Sequence, residues 1–272
     1  MKNNPILIVS GEPYSVFIEI FLKTIIKKKF KQKIILIVSK SLFINQMNSL
    51  GFHFDINLID RDNVDFAKLS KKKINIIDIT FNFKNTFDKI SDKSNKYIQE
   101  SFQVALKLIQ NKTYSGLING PISKKHFLKK NFLGITEYLA NKTNKVNKAV
   151  MLIYNQKLSV SPITTHLPLK DVPKNLSKHK IIDHVVLIEK FYKKNFQKKP
   201  RIAITGLNPH CESNYNSSEE KKIIEPAIKT LIKKKYKVYG PFAADTIFMK
   251  EQLKKYDVII GMYHDQVLTP LK

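Results

Sequence analysis

Short apolar runs alternate with longer amphipathic stretches along this chain, and this alternation constrains the fold more than any other feature. Continuous apolar strands separated by helices favour a mainly parallel sheet that is covered by helices on both faces. Six runs rich in isoleucine and valine are bounded by turn residues. These predicted buried strands are Ile6–Val9, Ile34–Val38, 74–79, 117–118, Ile202–Thr205 and 258–260.

The longer stretches between these runs predict helices. Four apolar side chains between residues 98 and 109 recur at helical spacing on one face. Residues 181–196 predict a second helix. Ser217 and Glu220 have the spacing of a capping box, which predicts the start of a third helix that continues to about residue 236.

The stretch from residue 149 to residue 162 differs from this pattern. Two β-like runs, 149–154 and 158–162, are separated by three polar residues. Such a short polar connection is typical of an antiparallel hairpin. The sequence therefore predicts an α/β protein that contains one hairpin.

Composition excludes several classes of protein. The 272-residue chain has a single cysteine, Cys211, so a disulfide-framed secreted protein is excluded and a reducing cytoplasm is favoured. No run approaches the roughly 18 apolar residues that would span a membrane. The net charge of +26 comes almost entirely from lysines spread along the chain, with Arg61 and Arg201 as the only arginines. Because base and phosphate recognition favours the arginine fork, we expect a solvated lysine surface and no nucleic-acid partner.

Polar residues cluster where the predicted strands end, which is where open α/β sheets bind their ligands. Five such segments are 11–13, 119–121, 164–168, 206–210 and 262–266. Three of them carry a histidine: His166, His210 and His264. Neutral imidazoles from separate strand ends can hold one divalent cation. Taken singly, each histidine is better explained as an ordinary loop or core residue. Their joint placement after three strands makes a metal site an equal alternative.

Three neighbouring residues extend this hypothesis. Cys211 is either a further soft ligand or a buried thiol with no role. Asp245 is a helix N-cap, a carboxylate that faces the cation or a substrate ammonium group, or both, and we treat it as the catalytic candidate. Asp265 adjoins His264 and is placed to accept its ring N–H.

At these residues the chain resembles the 4-hydroxythreonine-4-phosphate dehydrogenase family of pyridoxal phosphate biosynthesis. Four segments match motifs of that family in order, and the resemblance covers nearly the whole chain. They are TTHLPL at 164–169, GLNPH at 206–210, GPFAADTIF at 240–248 and MYHDQ at 262–266.

The resemblance implies a fold similar to that of the isocitrate and isopropylmalate dehydrogenases. That fold is a two-domain α/β three-layer sandwich with the active-site cleft between the domains. We expect residues 1–120 with 262–272 to form the first domain, and residues 121–261 to form the second, with the dimer interface. A homodimer whose metal site is shared between the subunits is implied.

The resemblance also implies the reaction. The chain is expected to oxidise 4-phosphohydroxy-L-threonine with NAD or NADP and one divalent ion per subunit: zinc, magnesium, cobalt or manganese. No Gly-x-Gly-x-x-Gly turn follows a predicted strand, so the cofactor is expected only from the family. Position by position, the metal ligands are His166, His210 and His264. Thr136 and Lys272 match residues that contact the substrate.

Three departures from the family pattern leave alternatives open. Ile135 stands where the family has histidine, and the inner glycines of the loop at 11–19 are replaced by larger residues. The family continues beyond the position of Lys272, so we expect a C-terminally truncated member. The alternatives are a related dehydrogenase of another β-hydroxy acid and a non-catalytic remnant of the family.

Overall fold

The computed structural model describes residues 4–110, 113–129, 131–211 and 217–271 of the 272-residue chain. The chain divides into two compact units, Met1–Ile135 and Thr136–Lys272. Each unit is built on its own parallel sheet.

Unit 1 contains, within the described residues, a five-stranded parallel sheet of order β3-β4-β2-β1-β5. Its strands are β1 (Ile6–Val9), β2 (Ile34–Val38), β3 (Ile56–Leu58), β4 (Ile74–Asp78) and β5 (Gly116–Asn119). Its helices are α1 (Phe17–Lys27), α2 (Lys40–Ser49) and α3 (Asn95–Ile109). The central strands β1, β2 and β4 are buried except for one end residue each, because helices cover them, and this explains why their sequences are mainly apolar.

Unit 2 contains, in the part that the structure describes, a four-stranded parallel sheet of order β6-β9-β7-β8. Its strands are β6 (Ser159–Pro162), β7 (Ile202–Thr205), β8 (Val238–Phe242) and β9 (Val258–Gly261). Its helices are α4 (Ile135–Lys142, which begins at the last residue of unit 1), α5 (Lys178–Phe196), α6 (Glu225–Lys233), α7 (Ala244–Ile247), α8 (Lys250–Leu253) and α9 (His264–Leu268).

All six strands predicted from apolar runs are present, but the prediction that β5 is buried was wrong, because β5 lies at a sheet edge and Ile118 is 49% exposed. The two strands of the described residues that were not predicted, β3 and β8, also lie at sheet edges. β8 reads Val-Tyr-Gly-Pro-Phe, and glycine and proline argue against a strand unless it lies at an edge. In the observed order β8 is an edge strand, so its proline need not supply a hydrogen bond to a second neighbour. β3 is a three-residue edge strand that is only partly buried.

Two local predictions were wrong in detail. The expected hairpin is reduced to one antiparallel bridge between Ile153 and Val160. The expected third helix begins with a π-helical turn, Glu220–Ile224, before α6. Glu220 makes no capping box with Ser217, because its carboxylate bonds to a distant loop. By contrast, α5 extends the predicted helix by three residues and is capped by Ser177, whose Oγ accepts from Lys180 N.

The observed units differ in two places from the domain boundaries predicted from the sequence. Residues 121–135 belong to unit 1. Residues 262–272 belong to unit 2, because α9 follows β9 directly and packs against β6. Among the helices of the described residues, none combines the length and the apolar composition that crossing a membrane requires.

His184 should make unit 2 sensitive to acid. It lies on α5 at 5% exposure, with Nε2 at 2.6 Å from Ser161 Oγ on β6. Burial, with the charge of Lys180 adding to it, lowers the pKa of this imidazole to about 4. The unfolded chain, whose histidine pKa is near 6.5, therefore binds a proton that the folded chain resists, so stability falls as the pH drops from 6.5 toward 4.

We expect His184 to account for a loss of about 2 kcal/mol in the free energy of unfolding between pH 7 and pH 5. Urea unfolding of the wild type and of His184→Gln at both pH values measures it, since glutamine does not titrate. The variant should lose less stability than the wild type over this interval. Equal losses in both proteins would show that His184 titrates normally.

Candidate active site

Four candidate residues follow the four strands of the unit 2 sheet. His166 follows β6, His264 follows β9, His210 follows β7 and Asp245 follows β8. Because the strands are parallel and adjacent, their carboxyl ends lie along one edge of the sheet. The topology therefore brings the four side chains to the same edge, as expected for a ligand site in an open α/β sheet.

Hydrogen bonds tie three of these strand ends together. Gln266 is buried; its Oε1 accepts from Thr205 Oγ1 at 3.0 Å and from Met262 N at 2.7 Å, and its Nε2 donates to Gly206 O at 2.8 Å. Thr164 Oγ1 donates to Met262 O at 2.7 Å. The loops that carry His166, His210 and His264 are thus fixed to one another at their first residues.

Glu220 anchors the loop that carries His210. Its Oε1 accepts from the backbone N–H groups of Leu207 and Asn208, both at 2.8 Å, and its Oε2 accepts from Asn208 Nδ2 at 2.8 Å. Burial alone would raise the pKa of the Glu220 carboxyl, but these hydrogen bonds hold that pKa below its usual range. Glu220 therefore stays charged and holds the backbone of this loop in place.

The backbone at the end of this loop is strained. His210 and Cys211 adopt consecutive left-handed conformations, with φ of 58° and 56°. Non-glycine residues in this region cost free energy and persist only where surrounding contacts hold them, which is common at functional sites. His210 Nδ1 lies 3.4 Å from Asp245 Oδ2, and both side chains are more than half exposed. This pair is open to a ligand.

His166 and His264 form a second pair. Their ring centroids are 5.9 Å apart. His166 Nδ1 lies 3.5 Å from Glu137 Oε1, and His264 Nδ1 lies 2.7 Å from Asp265 Oδ1. The predicted contact between Asp265 and His264 is therefore present.

The donor chemistry of these histidines fits a divalent cation. Each Nδ1 faces a carboxylate oxygen, an arrangement that places the proton on Nδ1 and leaves Nε2 as the free electron-pair donor. Within the described part of one chain, however, no three histidine, cysteine, aspartate or glutamate side chains converge closely enough to hold an ion. A complete shell therefore needs further donors or a movement of the loops.

Cys211 and Asp245 each had two interpretations. Burial raises the pKa of the Cys211 thiol, which disfavours the thiolate that metals bind. Its Sγ packs against Gly206, where a Cβ would lie 2.6 Å away.

The N-cap of α7 is Ala243, so the interpretation of Asp245 as an N-cap was wrong. Its carboxylate instead faces His210.

The structure describes one of the two predicted substrate residues. Thr136 is exposed in the first turn of α4, directly after Ile135. Its neighbour Glu137 points to the β6 loop, where Oε1 accepts from Thr165 Oγ1 at 3.3 Å. Glu137 Oε2 is buried and has no hydrogen-bond partner among the described residues. Lys272 lies outside the residues that the structure describes.

The loop after β1 does not fit a dinucleotide-binding turn. Gly11 has a φ of 76°, and a Cβ there would lie 2.4 Å from Pro121 O, so its glycine serves backbone packing. The next residue, Glu12, is 2% exposed and accepts from Ser94 Oγ at 2.9 Å and Ser123 N at 3.1 Å. Contacts with neighbouring segments of unit 1 therefore occupy this loop.

Sequence reasoning missed two residues that shape this site. Glu137 could have been proposed from the sequence, because it directly follows Thr136, which matches a substrate contact of the family. The sequence predicts that Glu220 caps a helix, whereas its observed hydrogen-bond partners lie 12 and 13 residues earlier in the chain.

Comparison with known proteins identifies a family. The sequence profile described as "Pyridoxal phosphate biosynthetic protein PdxA" matches residues 30–272. A 4-hydroxythreonine-4-phosphate dehydrogenase from Sulfurihydrogenibium sp. is 36% identical over 97% of this chain and 81% of its own length. A D-threonate 4-phosphate dehydrogenase from Salmonella typhimurium is 27% identical over 100% of this chain and 84% of its own. The crystal structure of a 4-hydroxythreonine-4-phosphate dehydrogenase from Klebsiella pneumoniae superposes with a TM-score of 0.80 at 25% identity, covering 98% and 84% of the two chains.

Proposed function

Because the chain belongs to the PdxA family of pyridoxal phosphate biosynthetic proteins, we propose that it oxidises 4-phosphohydroxy-L-threonine with NAD or NADP. The product is 2-amino-3-oxo-4-phosphooxybutanoate, which decarboxylates to 3-amino-2-oxopropyl phosphate. The observation that carries the proposal is the placement of His166, His264, His210 and Asp245 after four adjacent parallel strands. These are the positions of the family motifs.

The three histidines would hold a divalent cation through Nε2. The carboxylates that face their Nδ1 atoms would orient the rings: Glu137 for His166, Asp245 for His210 and Asp265 for His264. A bound cation would supply positive charge that lowers the pKa of the substrate hydroxyl. Histidine ligands suit zinc and cobalt, whereas a substrate rich in oxygen also suits magnesium and manganese.

Asp245 is the group that we assign to the hydroxyl proton. Its carboxylate is 55% exposed beside His210 and accepts no hydrogen bond from the described backbone, so it is available at the sheet edge that carries the histidines. As the base, it takes the proton from the substrate hydroxyl oxygen. A bound NAD or NADP would accept the hydride from the carbon that carries this hydroxyl. Thr136, in the first turn of α4, donates a hydrogen bond from its hydroxyl to the substrate, and Lys272 adds positive charge.

A related substrate is the second candidate, and Ile135 is the observation that favours it. Where the family has a polar histidine, this chain places an aliphatic side chain beside Thr136. The Salmonella typhimurium relative is named for D-threonate 4-phosphate, which keeps the phosphate but differs in having a hydroxyl at carbon 2 in place of an amine.

Steady-state formation of NADH and NADPH tests both candidates. The protein is assayed with each substrate in the presence of zinc, cobalt, magnesium or manganese. We expect a higher kcat/KM for 4-phosphohydroxy-L-threonine than for D-threonate 4-phosphate. The reverse ratio would support the second candidate. Turnover of neither substrate with any metal would leave a non-catalytic member of the family.

We also propose that the chain forms a homodimer that completes the active site, since one chain does not assemble a three-donor shell among its described residues. A continuous apolar face of unit 2 supports this. It includes Val150, Leu152, Leu187 and the partly exposed rings of Tyr154 and Phe191. Beside it, the backbone N–H groups of residues 149–152 have no backbone partner among the described residues. A second copy would cover the apolar face and could accept hydrogen bonds from these backbone groups.

Phe191→Glu should weaken the dimer because it places a charge on this face, whereas Lys190→Gln on the same helix should not. Light scattering after size exclusion measures the mass. We expect monomers for Phe191→Glu at micromolar concentration, with activity that rises as protein concentration rises. A Phe191→Glu protein that stays dimeric would place the interface elsewhere.

A further inference from the structure

A cavity of about 350 Å³ opens in unit 1 at the amino ends of β2 and β4. This is the end of the sheet opposite to the loops that follow its strands. Two lysine runs that are distant in sequence line the cavity: Lys28, Lys29 and Lys33 on one side, and Lys71, Lys72 and Lys73 on the other. The fold therefore concentrates charge that the sequence distributes over separate segments.

Most of this charge is not neutralised. Lys73 Nζ lies 3.6 Å from Asp55 Oδ2, and Lys33 Nζ donates to Phe66 O at 3.0 Å. For the other four lysines, no described carboxylate lies within ion-pair distance. Four like charges around one cavity repel one another, and an anion would relieve that repulsion.

The wall that carries residues 70–73 is fixed in place. Asn75 is 3% exposed, and its Nδ2 donates to Ile34 O at 2.9 Å and Ser70 O at 3.0 Å. Its Oδ1 accepts from Ser70 N at 2.7 Å. Ser70 Oγ in turn accepts from the backbone N–H groups of Lys72 and Lys73. The lysine backbones are held before any ligand arrives, which lowers the entropy lost on binding.

The lining is aromatic as well as basic. Phe21 and Ile74 are buried, Phe54 is partly buried, and Phe30 is 46% exposed beside Lys28 and Lys29. A partly exposed ring among cations offers a stacking surface to a flat ligand. Phosphate alone would need no such surface.

We propose that this cavity binds a small phosphorylated molecule with an aromatic ring, such as a mononucleotide or a pyridoxine phosphate. The phosphate lies between the two lysine runs, where each ammonium acts as a point charge. The ring packs against Phe30 and Phe54. The volume matches a small-molecule site, which begins near 300 Å³. None of the lining residues belongs to the candidate active site, so this is a second site.

Calorimetry on the full chain tests the proposal, with AMP, pyridoxine 5′-phosphate, pyrophosphate and a ten-residue oligothymidylate as probes. Pyridoxine 5′-phosphate lacks the aldehyde that would react with lysines. Saturating NAD is present throughout, so that AMP cannot be bound at the proposed cofactor site. We expect saturable binding of AMP or of pyridoxine 5′-phosphate, and the tighter of the two identifies the source of the ligand.

Two variants and one matched control test the site. Replacing Lys28, Lys29, Lys71 and Lys72 together with glutamine should weaken binding by at least about tenfold, because the phosphate loses its partners. The matched control replaces four exposed lysines of unit 2, Lys174, Lys178, Lys190 and Lys194, and should change affinity by less than about twofold. Phe30→Ala should weaken binding of the ring ligand by about fivefold or more and leave pyrophosphate unaffected.

Four results would overturn the proposal. They are no saturable binding of either ring ligand, equal weakening by both quadruple variants, no effect of Phe30→Ala, and tighter binding of the oligothymidylate than of any small probe. The second would reduce the cavity to part of a general basic surface, and the last would make it a nucleic-acid surface.

Discussion

His264→Ala should remove bound metal and activity together. The His264 ring faces the His166 ring at 5.9 Å between centroids, and Asp265 fixes its Nδ1, so that Nε2 is its only free donor atom. Alanine removes that donor without disturbing β9, which ends at Gly261. Metal analysis of the purified protein should give about one ion per chain for the wild type and almost none for the variant.

Two controls separate loss of a ligand from general damage. Glu137→Gln replaces the carboxylate that faces His166 Nδ1 by an amide. It should lower metal affinity by only about 10- to 100-fold, the range typical of residues that orient a metal ligand without binding the metal. His179→Ala removes an exposed histidine of α5 and should change neither metal content nor activity. A His264→Ala protein with wild-type metal content would contradict the assignment of this residue as a ligand.

Local patterns predicted the parts of the fold whose causes are local. A buried central strand must be apolar on both faces, so 34–38 and 202–205 were identified from their own residues. β8 was missed because Gly240 and Pro241 argue against a strand, and only the sheet order shows that it lies at an edge. Edge position is a property of the whole sheet, which no local pattern records.

The candidate site divides in the same way. His166, His210 and His264 were found because each follows a strand, and strand ends are predictable. The prediction for Glu220 was wrong because Ser-x-x-Glu is a local signal for a helix cap. Its observed hydrogen-bond partners, at positions 207 and 208, lie in the loop after β7. The basic cavity in unit 1 was likewise not predictable, because its two lysine runs are about 40 residues apart and meet only through the pairing of β2 with β4.

Asp245→Asn should lower kcat by roughly 10²- to 10⁴-fold, the usual contribution of a positioned general base. Asparagine keeps the size of the side chain and can still contact His210, but it cannot accept the substrate proton. Metal content should therefore stay at the wild-type level, and KM should change little. Steady-state kinetics with 4-phosphohydroxy-L-threonine, combined with metal analysis of the same preparation, measures both quantities.

The matched control is Glu251→Gln, which neutralises an exposed carboxylate in the first turn of α8, the helix that follows α7. Its kcat should equal that of the wild type, because it removes the same charge without removing a group beside His210. If Asp245→Asn instead retained kcat but lost metal, Asp245 would act only by orienting His210, from which it lies 3.4 Å away. The hydroxyl proton would then have to leave through another group on the same sheet edge. The two measurements together thus decide whether the carboxylate after β8 performs the proton transfer or supports the histidine that faces it.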